Sequence, residues 1–364
     1  MVGNERWAWA FLALLALAFV AYLVGLRMLS SRGIATRAVV VVAVAVQLVP
    51  LAAPLLLSTD AWTYWNYGRV AVVHDANPYR DPPAEFPDDP SFPWIGAKWR
   101  DTTSVYAPGF TLASEPIAAA AGTSKDAAAW SYKVLAALAA VAMIVLAART
   151  GAFAAAFVGW NPVLAVHLAG GGHNDAWVGA LVVAALVAGA VGRRQTAGVS
   201  WALAAAVKWI PLALLALRAL EAKATGRRVG YLGLALAVAA IVGISTWRYG
   251  VSWLNAFAPL AENAEETTSY ALPHRLSQLG VPEGAAIAAF AVLFGLGYLW
   301  LARQAWRGRA RVALAAGLLL LCTPYVTPWY LAWVVPLAAI DDDRAARALA
   351  LAFTAYLLPQ TVPV

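Results

Sequence analysis

The feature that leaves this chain the fewest options is a series of apolar runs, most of them close to bilayer length, that take up most of its 364 residues. They lie at roughly 7 to 26, 38 to 57, 127 to 148, 152 to 168, 176 to 191, 199 to 217, 230 to 247, 284 to 302, 312 to 340 and 345 to 359. A bilayer core takes about 20 apolar residues per helical crossing. Within it every backbone N–H and C=O must find a partner inside the protein, so helix is the expected state of each run. With 62% hydrophobic and 12% charged residues and a mean hydropathy of +0.68, the chain has too little polar surface to coat a soluble globule. The expectation is an all-α integral membrane protein, a polytopic bundle of about 10–12 transmembrane helices, with residues 1–364 as a single membrane domain. The first run, Trp7 to Leu26, has the length of a span and no clear small-residue cleavage site, and reads as a retained helix.

A net charge of +7 raises the question of nucleic acid, but the basic residues sit in short loops between apolar runs and not along one helix face. No nucleic-acid partner is expected. Arg27, Arg32 and Arg37 form one such group; Arg149 stands alone; Arg193 and Arg194 follow, then Arg218, Lys223, Arg227 and Arg228. Arg303, Arg307, Arg309 and Arg311 precede a last pair, Arg344 and Arg347. The positive-inside rule makes these loops cytoplasmic and the protein a multi-pass component of the plasma membrane. The other connections, 58 to 126, 248 to 283 and the turn from His167 to Asp175, then face the extracytoplasmic side. Acidic residues outnumber basic ones in both long segments, and His74, His167, His173 and His274 fall in or beside the three. Cys322, the one cysteine, excludes an internal disulfide and reads as a small packing residue.

Two runs begin and end beside basic loops, so each must enter and return. The stretch 195 to 217 is interrupted by Lys208-Trp209-Ile210-Pro211, and 312 to 340 by Thr323-Pro324 through Pro328-Trp329-Tyr330. Proline removes a backbone donor and breaks a helix, so both are expected to be broken hairpins.

Several constellations could carry chemistry. Asp60 opens Asp60-Ala61-Trp62-Thr63-Tyr64-Trp65, directly after the second run. Ser58, Thr59 or Asp60 could simply cap a short helix whose tryptophans rest at the membrane interface. On that helix Asp60 and Tyr64 share a face, so the acid could also point at a cavity. The stretch Gly170-Gly171-Gly172-His173-Asn174-Asp175 offers close backbone approach at a helix start, suited to an anion or hydroxyl, or else a tight turn with Asn174 or Asp175 as cap. His173 lacks a second ligand at helical spacing, so no metal is expected. Lys208 is flanked by apolar residues and must face protein or a cavity, where a phosphate is a natural partner, or snorkel to the surface. The Trp and Tyr residues of Tyr325 to Trp333, Trp329 and Tyr330 among them, could stack on a sugar or anchor the interface. His274 and Arg275 could bring further positive charge to a phosphate, or stay solvated.

Taken in order, these segments resemble the GT-C superfamily of polyprenol-phosphate-sugar-dependent glycosyltransferases, and most of all the actinobacterial α-mannosyltransferases. The resemblance rests on Asp60 with the aromatic stretch to Gly68-Arg69 and Asn77-Pro78-Tyr79, and on Trp99-Arg100 before Tyr106-Ala107-Pro108. It continues through Trp160-Asn161-Pro162 into Gly171-Gly172-His173-Asn174-Asp175, and ends on Lys208 and Thr327-Pro328-Trp329-Tyr330. Ala107 stands where the family pattern has glycine. The resemblance implies a membrane hexosyltransferase, with mannose the expected sugar, moved from a polyprenyl-phosphate donor to a lipid-linked or cell-envelope glycan acceptor with inversion. It makes 58 to 126 the GT-C-like extracytoplasmic loop and Asp60 the base. Lys208, Arg275 and His274 are expected at the donor phosphate, and His173, Asn174, Asp175, Tyr64, Tyr106, Trp329 and Tyr330 at sugar or acceptor. No cofactor is implied. A polytopic transporter or lipid flippase is the competing reading, since proline-broken spans also mark transport sites.

Overall fold

A computed structural model describes residues 5–31, 33–227 and 229–362. Arg32 and Arg228, two of the basic-loop residues, lie outside the described residues. The protein is an all-α polytopic membrane protein, without a β-strand among the described residues. Arg6–Leu29, Lys125–Ala147, Tyr231–Ala256 and Glu283–Trp306 are long and apolar enough to cross a bilayer on their own. The remaining apolar helices are shorter, among them Asp175–Ala190 and Val312–Cys322. One hydrophobic cluster runs from Ala8 to Val362 and joins nearly every element.

The shortness has a local cause: polar and proline residues break what the hydropathy pattern draws as continuous spans. The run at 152 to 168 is two helices, Ala152–Gly159 and Pro162–His167. Asn161 accepts from the N–H groups of Val163 and Leu164 at 3.1 Å each, and Pro162 starts the second helix where no amide donor is needed. Gln47 donates to the carbonyls of Gly159 and Asn161, at 3.1 and 3.2 Å, the latter also accepting from the Ala165 N–H. The break is buried yet hydrogen-bonded.

Both expected hairpins break where the sequence indicates. Helix Arg194–Val207 ends at Lys208, which is extended at φ −148° and ψ 151°, and Pro211 opens Pro211–Ala224. Val312–Cys322 gives way to a loop, a 3₁₀ turn at Pro328–Trp333 and the short helix Val335–Ile340. The bases of the two hairpins, with Arg194 and Arg218 in one and Val312 and Asp341 in the other, line a common cavity. Their tips, with Lys208 and Trp209 in one and Tyr325 and Trp329 in the other, line a second cavity. Close approach holds the first tip in place: a Cβ on Gly109 would meet the Ala206 carbonyl oxygen at 2.9 Å.

Helix Asp60–Val72 departs from the interfacial element that its aromatic residues suggest. Tyr64, Trp65, Tyr67 and Val70 are all buried. The helix packs on Pro108–Ala121, and Gly68 makes the contact possible: a Cβ there would lie 2.5 Å from the Ser114 carbonyl oxygen. The other side is covered by the segment that follows. Arg69 pairs with buried Asp89 at 2.8 Å, Asn66 donates to Ser91 at 2.7 Å, and Tyr67 donates to the Thr102 carbonyl at 2.8 Å. The aromatic rings thus form the core of the 58 to 126 segment, not a lipid-facing belt. The 248 to 283 segment packs onto it through Arg248 and Tyr249, which bind Glu115 at 3.1 and 2.6 Å.

Candidate active site

Asp60 is the first residue of its helix, and its N–H donates to Ser58 Oγ at 3.1 Å. Its carboxylate caps nothing, and Thr59 at the N-cap position makes no side-chain cap; the one side chain that meets the start of the helix is Ser58. It turns instead into a cavity of about 300 Å³ shared with Trp99, Tyr106, Lys208, Trp329 and Tyr330. Position one of a helix favours a negative charge. Burial works against that charge, but contact with His173 and the charges of His173 and Lys208 outweigh it and hold Asp60 below the usual carboxylate range. At neutral pH it is an ionised acceptor.

Behind the acid stand residues that do not line the cavity. His173 Nδ1 is 3.2 Å from Asp60 Oδ2, an ion-pair distance at an angle outside hydrogen-bond geometry, so neither ring nitrogen has a hydrogen-bond partner among the described residues. The imidazole is fully buried and stacks on Trp329, with centroids 3.7 Å apart and planes at 12°. Tyr64 Oη lies 3.4 Å from both Asp60 Oδ2 and Asn174 Oδ1. Burial, with the negative charge of Asp60 adding to it, pushes the Tyr64 and Tyr106 hydroxyls well up, so both remain proton donors. The three glycines before His173 serve packing here: a Cβ on Gly171 would meet the His173 ring at 2.7 Å, and none of the three lines the cavity.

In the same cavity Lys208 donates to both oxygens of Asp175, at 2.7 and 2.8 Å. The Asp175 side chain is 0% exposed and that of Lys208 17%, so the pair offers its cationic end to the cavity. Tyr330 and Trp333 hold their rings 5.3 and 5.4 Å from the ammonium. Lys208 therefore neither snorkels nor stands free. Asp175, on the first turn of Asp175–Ala190, acts as its anchor and not as a helix cap.

Arg275 and His274 lie elsewhere. Arg275 donates to Tyr356 Oη at 3.2 Å and to Gln278 at 3.1 Å, His274 contacts Thr267 at 3.1 Å, and neither lines the cavity. Among the described residues no three His, Cys, Asp or Glu side chains cluster as metal ligands would.

The sequence profile of the family described as alpha-(1->6)-mannopyranosyltransferase, N-terminal domain, matches residues 3–224. The chain belongs to this family. A probable alpha-(1->6)-mannopyranosyltransferase of Mycolicibacterium smegmatis is 27% identical over 370 aligned residues, which cover 84% of this chain and 65% of the relative. The chain thus spans somewhat less than two thirds of that relative's length. No solved structure matches.

The family match takes in Asp60, His173, Asn174, Asp175 and Lys208, whereas Trp329 and Tyr330 come to the same cavity from beyond it. Sequence reasoning missed the pairing of Lys208 with Asp175, which are 33 residues apart. It also passed over Trp99 as a cavity wall, whereas Tyr325 and Trp333, at the two ends of the aromatic segment it had singled out, do line the cavity. His167, which stands before the glycines in the same stretch of sequence, is buried with both ring nitrogens lacking hydrogen-bond partners among the described residues, 5.6 Å from the Trp329 ring.

Proposed function

We propose that the protein is a membrane α-mannosyltransferase that moves mannose from a polyprenyl-phosphate donor to a lipid-linked or cell-envelope glycan acceptor, at the extracytoplasmic face of the plasma membrane. The observation that carries the reading is the ionised Asp60 sharing an aromatic-walled cavity with the Lys208 ammonium. Mannose is polar on its edges and apolar on its C–H faces, which suits the walls formed by Trp99, Tyr106, Trp329 and Tyr330. A donor in which phosphate is the leaving group needs one base and one cation, not the two carboxylates of glycoside hydrolysis.

In this scheme Asp60 takes the proton of the acceptor hydroxyl as that oxygen forms its bond to the anomeric carbon. The bond from that carbon to the phosphate oxygen breaks on the opposite face, and the phosphate leaves with its negative charge beside Lys208. One displacement inverts the centre, so an α product calls for a β-linked donor. His173, stacked on Trp329 and close to Asp60, orients the carboxylate. The extracytoplasmic assignment is supported by how the residues sort: Arg194, Arg218, Arg227 and Arg309, all from basic loops, share one cavity, and Asp60, Tyr106 and Lys208 share the other.

The transporter reading draws on the paired broken hairpins. One experiment separates the two. Purified protein incubated with radiolabelled polyprenyl-phosphate mannose and a glycolipid acceptor should form labelled product, and Asp60→Asn should reduce kcat by about 100-fold while donor still binds. A protein that moves the donor across vesicles without forming product, or an Asn variant with native turnover, would refute the assignment.

A further inference from the structure

The end of the bundle that carries the arginine-rich loops encloses a larger cavity, of about 670 Å³. Its walls come from the ends of Asp175–Ala190, Arg194–Val207, Pro211–Ala224, Val312–Cys322 and Val335–Ile340, and from the loops beside them. The floor is apolar, with Val187, Trp201, Leu215 and Leu337 among the lining side chains. Around it stand Arg194, Arg218, Arg227 and Arg309, against only Glu221 and Asp341.

These charges are not equally available. Arg218 is ion-paired with Glu221, whose other oxygen accepts from the Ala310 N–H at 3.1 Å. The neighbouring Arg311, outside the cavity, is held by Asp343 at 2.6 and 2.8 Å. Arg194, Arg227 and Arg309 have exposed side chains with no ion pair or side-chain hydrogen bond among the described residues. Three guanidinium groups without an ion pair or side-chain hydrogen bond among the described residues, of which Arg309 feels the nearby charge of Asp341, stand around an apolar floor and match a ligand with a phosphate at one end and hydrocarbon at the other. Inorganic phosphate alone would leave most of this volume lined by bare apolar side chains. Basic pockets between membrane helices at the positive-loop side are where anionic headgroups gather.

We propose that this cavity binds an anionic phospholipid, its phosphate held by Arg194, Arg227 and Arg309 and part of an acyl chain lying along the Trp201 and Leu337 floor. The site is separate from the Asp60 cavity, and the inference does not depend on the transferase reading.

The test uses the full chain purified in detergent and phosphatidylglycerol with a fluorophore on one acyl chain, with phosphatidylcholine bearing the same chain for comparison. Phosphatidylglycerol should bind saturably and more tightly than phosphatidylcholine. The triple variant Arg194→Gln, Arg227→Gln, Arg309→Gln should weaken its Kd by at least about tenfold. The corresponding triple Lys variant, which keeps the charge, should lose far less, and Arg307→Gln, exposed but outside the cavity, should change nothing. Equal binding of the two lipids, or native affinity in the triple Gln variant, would overturn the proposal. Displacement by millimolar inorganic phosphate would overturn the lipid assignment in favour of a soluble phosphate.

Discussion

Replacing Lys208 with Met tests how the cavity's charges are balanced. Met keeps most of the side-chain length and removes the ammonium. What it leaves behind is Asp175, whose side chain is 0% exposed and whose two oxygens both accept from Lys208. Breaking a buried pair by removing one partner costs about 3–5 kcal/mol, because the surviving charge stays buried without compensation. The reverse change, Asp175→Asn, leaves a lysine that is 17% exposed and already faces the cavity, so its cost should be smaller, about 1–2 kcal/mol. Lys208→Met with Asp175→Asn removes both charges and should recover most of what the single Met variant loses. Reversible unfolding in mixed micelles, run as a double-mutant cycle, gives the coupling energy directly. Donor binding is then measured on the double variant, where stability no longer confounds it, and should be weakened. Additive single costs, or a Met variant destabilised by less than about 1 kcal/mol, would show that the pair is not the buried unit described here.

Gly68→Ala should destabilise the fold by about 1–3 kcal/mol by forcing its helix off Pro108–Ala121, and should lower activity through Asp60 eight residues earlier; a neutral thermal melt would contradict the close packing. Asp89 answers to acid: burial raises its pKa, but hydrogen bonds from Arg69, Ser91 and His74 bring it down to about 2. A depressed carboxyl contributes stability that is complete above the unfolded pKa, near 4, and is lost as pH falls toward about 2, so Asp89→Asn should flatten unfolding curves over that window. On a Cys322→Ala background, a membrane-impermeant thiol reagent on intact cells should label exposed Asp88→Cys and spare exposed Arg193→Cys; the opposite pattern would reverse the proposed sidedness.

The apolar runs, the proline breaks and the arginine-rich loops are local facts of the sequence, and each had a local consequence. Pro211 and Pro328 have no amide hydrogen to give and each opens a new helix, so the hairpins break beside them, although Pro116 is carried inside Pro108–Ala121. Bilayer thermodynamics likewise leaves helix as the state of a long apolar run, which is why the all-α membrane class was legible without coordinates. Pattern was less informative wherever two readings shared one composition. Trp65 and Tyr67 could have lain on lipid or in a core, and the segment from Asn77 to Tyr106 that covers them decided the matter. Asn161-Pro162 was visible as a motif, but its splitting of a span depended on Gln47 and Thr354, both more than 100 residues away in sequence, meeting the polar groups at the break.

Asp60, Lys208 and the aromatic residues could be named as candidates from residue type and position along the chain. Their geometry could not, because charge pairing depends on distances of a few ångströms between segments far apart in sequence. Only the folded chain put Asp175 against Lys208, His173 behind Asp60, and Trp329 against both the imidazole and the cavity. It also carried Arg275 and His274, candidates on the same grounds of residue type, away to Tyr356 and Thr267. Composition told which side chains must avoid lipid; the crossing of helices decided which of them meet.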